Sequence, residues 1–104
     1  MIKVSILYPH KGRFDMDYYL DKHMPMSIGR LGAAKGYRGV CVERGLSGAG
    51  SGPAFVAMCH FLFDSVEDFL AAFQPHAAEL RGDVRNYTDI DPIIRFSEVA
   101  MADG

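Results

Sequence analysis

Residues 54–63 read AFVAMCHFLF, and this apolar run decides the fold. In a β-strand, successive side chains point to opposite faces of the sheet. The run then divides into one face with Phe55, Ala57, Cys59, Phe61 and Phe63 and another with Val56, Met58, His60 and Leu62. Because both faces are mainly apolar, both must be covered, which predicts a central strand with a layer on each side.

Three further segments carry strand patterns around this one. Residues 2–8 (IKVSILY) alternate apolar side chains with Lys, Ser and Leu, as a strand does. Residues 37–44 (YRGVCVER) precede a loop rich in Gly and Ser at 45–53, and residues 93–99 (IIRFSEV) form the last apolar segment. The sequence therefore predicts four strands.

A first helix is predicted after Asp15, whose carboxylate can accept hydrogen bonds from the amides of the first helical turn. Pro25 has no amide hydrogen and its ring clashes with the preceding turn, so we expect a kink or a helix restart near Met24. The stripe of inward-facing residues at helical spacing is Met16, Leu20, His23, Ser27 and Leu31.

A second helix is predicted after Asp64 or Ser65, either of which can cap it. Pro75 should bend this helix or end it early, and Gly82 should stop it, leaving residues 83–92 irregular. Its buried stripe is predicted to be Val66, Phe69, Leu70, Phe73, Ala77 and Leu80.

The order strand, helix, strand, strand, helix, strand predicts an α+β fold, the ferredoxin-like plait, as a single domain over residues 1–104. In this plait two helices cover one face of a four-stranded antiparallel sheet, and strands one and three lie at its centre. The other face still carries apolar side chains. We expect a second copy of the chain to cover it, in a homodimer packed sheet to sheet about a two-fold axis.

Composition and motifs exclude several classes of protein. The formal net charge of −2 gives no electrostatic attraction for nucleic acid, and no apolar run is long enough to span a membrane. The Gly-rich loop has no Lys and leads into a strand, unlike a phosphate-binding loop. The two cysteines and four histidines show no metal-ligand spacing, so no metal and no cofactor are predicted. We expect a soluble, cytoplasmic protein.

Three stretches of the chain resemble the EthD (ethyl tert-butyl ether degradation D) family of the dimeric α/β-barrel superfamily. They are FDMDYYLDKHMP at 14–25, FDSVEDFLAAFQPHAAEL at 63–80, and NYTDIDPII at 86–94 with SEV at 97–99. The resemblance implies a ferredoxin-like protomer, a homodimer whose sheets form a barrel, and a small apolar cavity between sheet and helices. Relatives are named as oxidoreductases, and the superfamily includes cofactor-free cyclases, isomerases, lyases and monooxygenases.

His23 is the main candidate for catalysis. A neutral imidazole can accept or donate a proton near pH 7, and His23 lies on the inward face of the first helix, next to the backbone break at Pro25. The resemblance also places a His at this HMP position. The alternative interpretation is a core histidine whose hydrogen bonds serve packing alone.

Other candidates are tyrosines and polar residues that could reach the same cavity. Tyr87 is predicted to be catalytic by orienting a carbonyl, and Asn86 to bind substrate, if the segment that holds them folds over the cavity mouth. Tyr8, Tyr19 and His60 are weaker substrate-binding candidates, each of which could equally be a core or rim residue. His60 could face the cavity or the dimer side.

Two classes of function therefore stay open. One is a cofactor-free catabolic enzyme that binds a small apolar or aromatic carbonyl compound and moves a proton on it, with His23 as acid and base. Whether it is an oxidoreductase, lyase, isomerase or cyclase is not decided. The alternative is a non-catalytic accessory protein that binds a hydrophobic metabolite for a monooxygenase system.

Overall fold

Four strands form one antiparallel sheet in the computed structural model, which describes residues 1–48 and 52–104. Its order β2-β3-β1-β4 places β1 and β3 at the centre, as the double-sided apolar pattern of residues 54–63 predicts. The strands are β1 (Ile2–Pro9), β2 (Tyr37–Arg44), β3 (Phe55–Phe63) and β4 (Ile93–Glu98). The predicted four-stranded α+β fold is confirmed, while residues 49–51 of the predicted loop at 45–53 lie outside the described residues.

The two faces of β3 meet different surroundings. Side chains on the helix-covered face are buried, namely Ala57, Cys59, Phe61 and Phe63. Side chains on the open face are only partly buried, namely Val56, Met58, His60 and Leu62. The helices thus cover one face, and the second face keeps a partly exposed apolar surface.

The first helical segment passes from α1 (Met16–Tyr18) through a π-helical turn (Tyr19–His23) into α2 (Met24–Leu31). Asp15 caps α1, accepting a hydrogen bond from the Tyr18 amide at 3.1 Å. Pro25 cannot donate to the carbonyl four residues earlier. The π turn accommodates it, since the Met24 amide bonds instead to the Tyr19 carbonyl, and the α-helix restarts at Met24 as expected.

The predicted buried stripe of this first segment is wrong at Leu20. Leu20 is 41% exposed, whereas its neighbour Tyr19 is 1% exposed. The wider π turn changes the angular spacing of the side chains around the helix axis. As a result, Tyr19 faces the sheet and Leu20 faces solvent. The predicted inward positions from the end of the turn onward are buried, at His23, Ser27 and Leu31, and Met16 before the turn is partly buried.

The second helical segment contains α3 (Val66–Phe73), a 3₁₀ turn (Gln74–His76), α4 (Ala77–Asp83) and a further 3₁₀ turn (Val84–Asn86). Ser65 is the N-cap and accepts a hydrogen bond from the Asp68 amide at 3.1 Å. The break expected at Pro75 is present as the first 3₁₀ turn.

Two predictions for this segment are wrong. Leu70 is exposed, and Ala72 is buried instead. Phe69 points towards the sheet, and Leu70 lies about 100° around the helix axis from it, which turns Leu70 to solvent. Gly82 does not stop the helix, which continues to Asp83 and then into the 3₁₀ turn. A helical Gly costs about 1 kcal/mol relative to Ala, which neighbouring contacts can offset. The extension places Asp83 on a helix rather than in an irregular segment.

Residues 87–90 are joined to the chain that leads into α1. The Asp15 amide donates to the Tyr87 carbonyl at 2.7 Å, and Phe14 forms an isolated antiparallel bridge with Thr88. The buried Thr88 hydroxyl donates to the Arg13 carbonyl and accepts from the Ile90 amide. These bonds fix Tyr87 against the first helical segment.

Thr88→Val is expected to lower the free energy of unfolding by about 1–3 kcal/mol, because it leaves the Arg13 carbonyl and the Ile90 amide without their buried partner. Urea denaturation would measure this. Thr88→Ser keeps the hydroxyl and serves as the control, with the smaller loss expected from one methyl group. Equal stability of Thr88→Val and the parent protein would contradict the role assigned to this hydroxyl.

Candidate functional site

A cavity of about 100 Å³ lies between the helix-covered face of the sheet and the helices. Most of its wall is apolar, formed by Ile6, Met24, Leu31, Cys59, Phe61, Phe69, Phe73, Leu80, Val84, Pro92 and Ile94. The polar side chains that line it are those of Tyr8, Tyr19, His23, Ser27 and Arg81. Arg81 and Ile94 are exposed, so the cavity opens to the surface beside them.

His23 is held in this wall by Asp83. The His23 side chain is buried, and its Nδ1 lies 2.9 Å from Asp83 Oδ2. The other carboxylate oxygen of Asp83 accepts from the Tyr18 hydroxyl at 2.7 Å and from the Asn86 amide at 2.9 Å. Three donors, two from the first helical segment and one from the 3₁₀ turn after α4, therefore converge on one carboxylate.

These donors decide the charge of Asp83. Partial burial acts to raise the pKa of its carboxyl, but the hydrogen bonds from Asn86, His23 and Tyr18 outweigh burial and bring the pKa below its ordinary value. Asp83 is therefore ionised at neutral pH and accepts hydrogen bonds only.

An ionised Asp83 also decides the tautomer of His23. Because the carboxylate cannot donate, His23 Nδ1 must carry the proton, and in the neutral ring Nε2 carries the lone pair. Among residues 1–48 and 52–104, every fully buried side-chain nitrogen or oxygen has a hydrogen-bond partner. Nε2 of His23 has no partner there, so it is not fully buried. Nε2 is therefore accessible, and the ring can act as a base there while Asp83 orients it.

A second polar pair lies beside His23. The hydroxyl groups of Tyr8 and Tyr87 are 2.6 Å apart, and the Tyr87 ring packs on the His23 ring with centroids 4.6 Å apart. Burial raises the pKa of Tyr8 to about 12 and also raises the pKa values of Tyr19 and Tyr87. All three are therefore neutral hydroxyls at physiological pH.

The predicted site residues occupy three different places. Tyr8, Tyr19 and His23 line the cavity. Tyr87 and Asn86 do not line it, although Val84 and Pro92 on either side of them do. Tyr87 is fully buried behind Tyr8 and His23, because residues 87–90 are bonded to the start of the first helical segment, and Asn86 is directed to Asp83.

His60 lies on the open face of the sheet, away from the cavity. Its Nδ1 is 2.7 Å from Ser5 Oγ, and its Nε2 is 2.8 Å from Glu43 Oε1. Of the two positions that the sequence left open for His60, the structure places it on the open face rather than in the cavity, because β3 alternates and Cys59 and Phe61 take the helix side. His60 belongs to a polar row across three strands.

Asp83 and Tyr18 are the site residues that sequence reasoning missed. The helix stop assigned to Gly82 placed Asp83 in an irregular segment with no partner. A local signal was present, since Asp83 and Asn86 are three residues apart and would lie on one face of a continuing helix.

Among residues 1–48 and 52–104, no group of three His, Cys, Asp or Glu residues could hold a metal ion. In the same residues no helix is long and apolar enough to cross a membrane.

The family model of the EthD domain matches residues 13–91. The chain belongs to the EthD family. The resemblance found in the sequence is thus confirmed. The solved structure of an EthD-like protein from Ralstonia eutropha JMP134 is 50% identical, with a TM-score of 0.90 over 98% of this chain and 94% of that one. No curated protein matches this EthD chain significantly.

More distant structures share the fold with this EthD protein. An ethyl tert-butyl ether D family protein from Bacillus halodurans C-125 is 19% identical, with a TM-score of 0.73 over 94% of this chain and 97% of that one. A protein named as an antibiotic biosynthesis monooxygenase, from Bordetella bronchiseptica, is 15% identical, with a TM-score of 0.64 over 96% of each chain. At these identities the likeness concerns the fold alone.

Asp83→Asn is expected to destabilise this EthD protein by roughly 1–2 kcal/mol at pH 7, because an amide cannot accept from all three donors. The folded-state pKa of Asp83 is lowered, so its contribution is present above the ordinary carboxyl pKa of about 3.9 and is lost as pH falls through the lower folded value. The stability gap between parent and variant should therefore narrow below about pH 4.

Urea denaturation from pH 7 to about pH 3 would measure this gap. Asp91→Asn is the matched control, because Asp91 is exposed, and it should leave stability unchanged. A gap that stays constant or widens on acidification would show that the Asp83 charge does not stabilise the fold.

Proposed function

We propose that this EthD-family protein binds a small apolar carbonyl or aromatic compound in its cavity and moves a proton on it, with His23 Nε2 as the acid and base. The observation that carries the proposal is the contact between His23 and the ionised Asp83 in the wall of an apolar cavity. The carboxylate fixes the ring and stabilises the imidazolium that forms when Nε2 takes a proton.

Tyr8 is the hydrogen-bond donor of this proposal. Within the described residues the fully buried Tyr87 hydroxyl has Tyr8 as its partner. If Tyr8 donated to Tyr87, the Tyr87 hydrogen would have no acceptor, at a cost of about 1–3 kcal/mol. The favourable arrangement has Tyr87 donating to Tyr8, which leaves the Tyr8 hydrogen for a ligand oxygen in the cavity. Tyr87, predicted from sequence as catalytic, then acts by positioning Tyr8.

The proton step uses both groups. Nε2 of His23 takes a proton from the carbon next to the carbonyl, and the electron pair of the broken C–H bond moves onto the carbonyl oxygen as an enolate. The Tyr8 hydroxyl donates to that oxygen, where the negative charge develops. The imidazolium then returns a proton to the same carbon or to another atom of the enolate. Return to another atom gives an isomer.

His23→Gln is expected to slow this proton transfer by about 10²-fold or more, the usual contribution of a general base. Acetophenone in deuterated buffer serves as the probe, and NMR follows the loss of its methyl proton signal. The control His10→Gln changes an exposed histidine outside the cavity and should leave the rate unchanged.

Exchange that survives His23→Gln would remove His23 as the base. Binding of acetophenone without exchange above the buffer rate would favour the alternative function, a non-catalytic accessory protein that holds a hydrophobic metabolite for a monooxygenase system.

We also propose that two copies pack through their open sheet faces. Apolar side chains partly exposed there include Leu7, Val56, Met58 and Leu62. The polar groups between them, Ser5, His60 and Glu43, already bond to one another. A second sheet could therefore cover this face without leaving these groups unpaired, which removes the main cost of burying them.

Leu62→Glu is expected to convert a dimer to a monomer, because a carboxylate would be buried between the sheets. The monomer should tolerate it, since Leu62 pairs across the strands with Lys3. Sedimentation at micromolar concentration would measure the change. Leu46→Glu introduces the same charge at an 82% exposed leucine outside the sheet and should leave the dimer intact. A monomeric parent protein would rule the dimer out.

A further inference from the structure

Arg81 is a charged side chain in the wall of an otherwise mainly apolar cavity. It lies on α4, where the cavity opens to the surface, and its guanidinium carbon is 5.4 Å from the centre of the Phe73 ring. Phe73 also lines the cavity, so the aromatic ring holds the cation at the rim. The proton transfer proposed above gives this residue no role.

No carboxylate of the described residues neutralises the Arg81 guanidinium. The acidic residues nearest to it on α4 have other partners, since both oxygens of Glu79 bond to Arg30 at 2.8 and 3.1 Å and Asp83 bonds to His23. Across residues 1–48 and 52–104, Arg81 forms no ion pair and no hydrogen bond through its side chain. No carboxylate lines the cavity within those residues.

We infer that the ligand is a small monocarboxylate, with its apolar body in the cavity and its carboxylate bound by Arg81 at the rim. A guanidinium presents paired N–H donors that match the two oxygens of a carboxylate. An apolar cavity of about 150 Å³ can hold benzene, so a cavity of about 100 Å³ suits a body no larger than one small ring. The inference rests on the proposed function for its site, but binding does not require turnover.

Size and charge together narrow the substrate class. An acid that carries a carbonyl group, such as a small oxo acid, would place its carboxylate at Arg81 and leave the carbonyl for Tyr8 and His23. Larger compounds exceed the cavity volume, and dianionic compounds fit less well because, among the lining residues that the structure describes, only Arg81 carries a permanent positive charge.

Benzoate and benzamide test the inference, because they share one ring and differ in charge. Titration of the full-length protein at low salt, followed by NMR or calorimetry, should give an affinity for benzoate about tenfold higher than for benzamide. Arg81→Gln should remove that preference and leave benzamide binding unchanged, whereas Arg81→Lys should keep part of it. Arg85→Gln removes the same charge from an exposed arginine outside the cavity and should keep the preference.

Equal binding of the two probes, equal losses in Arg81→Gln and Arg85→Gln, or binding of neither probe would each overturn the inference. Failure of the proposed proton transfer is measured separately. His23→Gln should keep the preference for benzoate, so absent deuterium exchange combined with an Arg81-dependent preference would reject the proton step and leave the carboxylate site standing.

Discussion

The structure of the candidate site depends on the carboxylate of Asp83. It receives hydrogen bonds from Tyr18 on α1, His23 on the π turn and Asn86 on the 3₁₀ turn after α4. A partly buried charge is costly unless hydrogen bonds replace the hydration it loses, and three donors do so here. The same bonds that stabilise the charge also choose the tautomer of His23. The stability of the charge and the protonation pattern of the imidazole therefore come from one set of contacts.

Two departures from the expected helices make those contacts possible. The π turn before Pro25 brings Tyr19 and His23 under the sheet, and the helix that continues through Gly82 carries Asp83 towards them. Each departure has a local cost, because Pro removes a hydrogen bond and Gly weakens a helix. The hydrogen bonds to Asp83 offset these costs, and they form only when the chain is folded. This is the reason that the irregular segments and the site coincide.

The same reasoning explains what the sequence could predict. The alternation of residues 54–63 and the caps at Asp15 and Ser65 are local patterns, and they predicted the sheet centre and both helix starts correctly. Leu20 and Asp83 were assigned wrongly because a straight helix and a Gly stop are also local expectations, which long-range bonds override. The burial of Tyr87 depends on bonds between residues 13–15 and 87–90, which no short pattern contains. His23 became the main candidate through its helical spacing, its position beside Pro25 and the family resemblance at HMP.

His23 and His60 show why contact with a carboxylate does not by itself create a reactive group. His60 uses both ring nitrogens, one with Ser5 and one with Glu43, so its lone pair is occupied by the Ser5 hydroxyl. His23 uses only Nδ1, and its Nε2 remains accessible at an apolar wall. A proton acceptor must have a free lone pair that the substrate can reach. On this criterion the accessible imidazole lone pair lies on the helix-covered face of the sheet, whereas the polar row of the open face is internally satisfied.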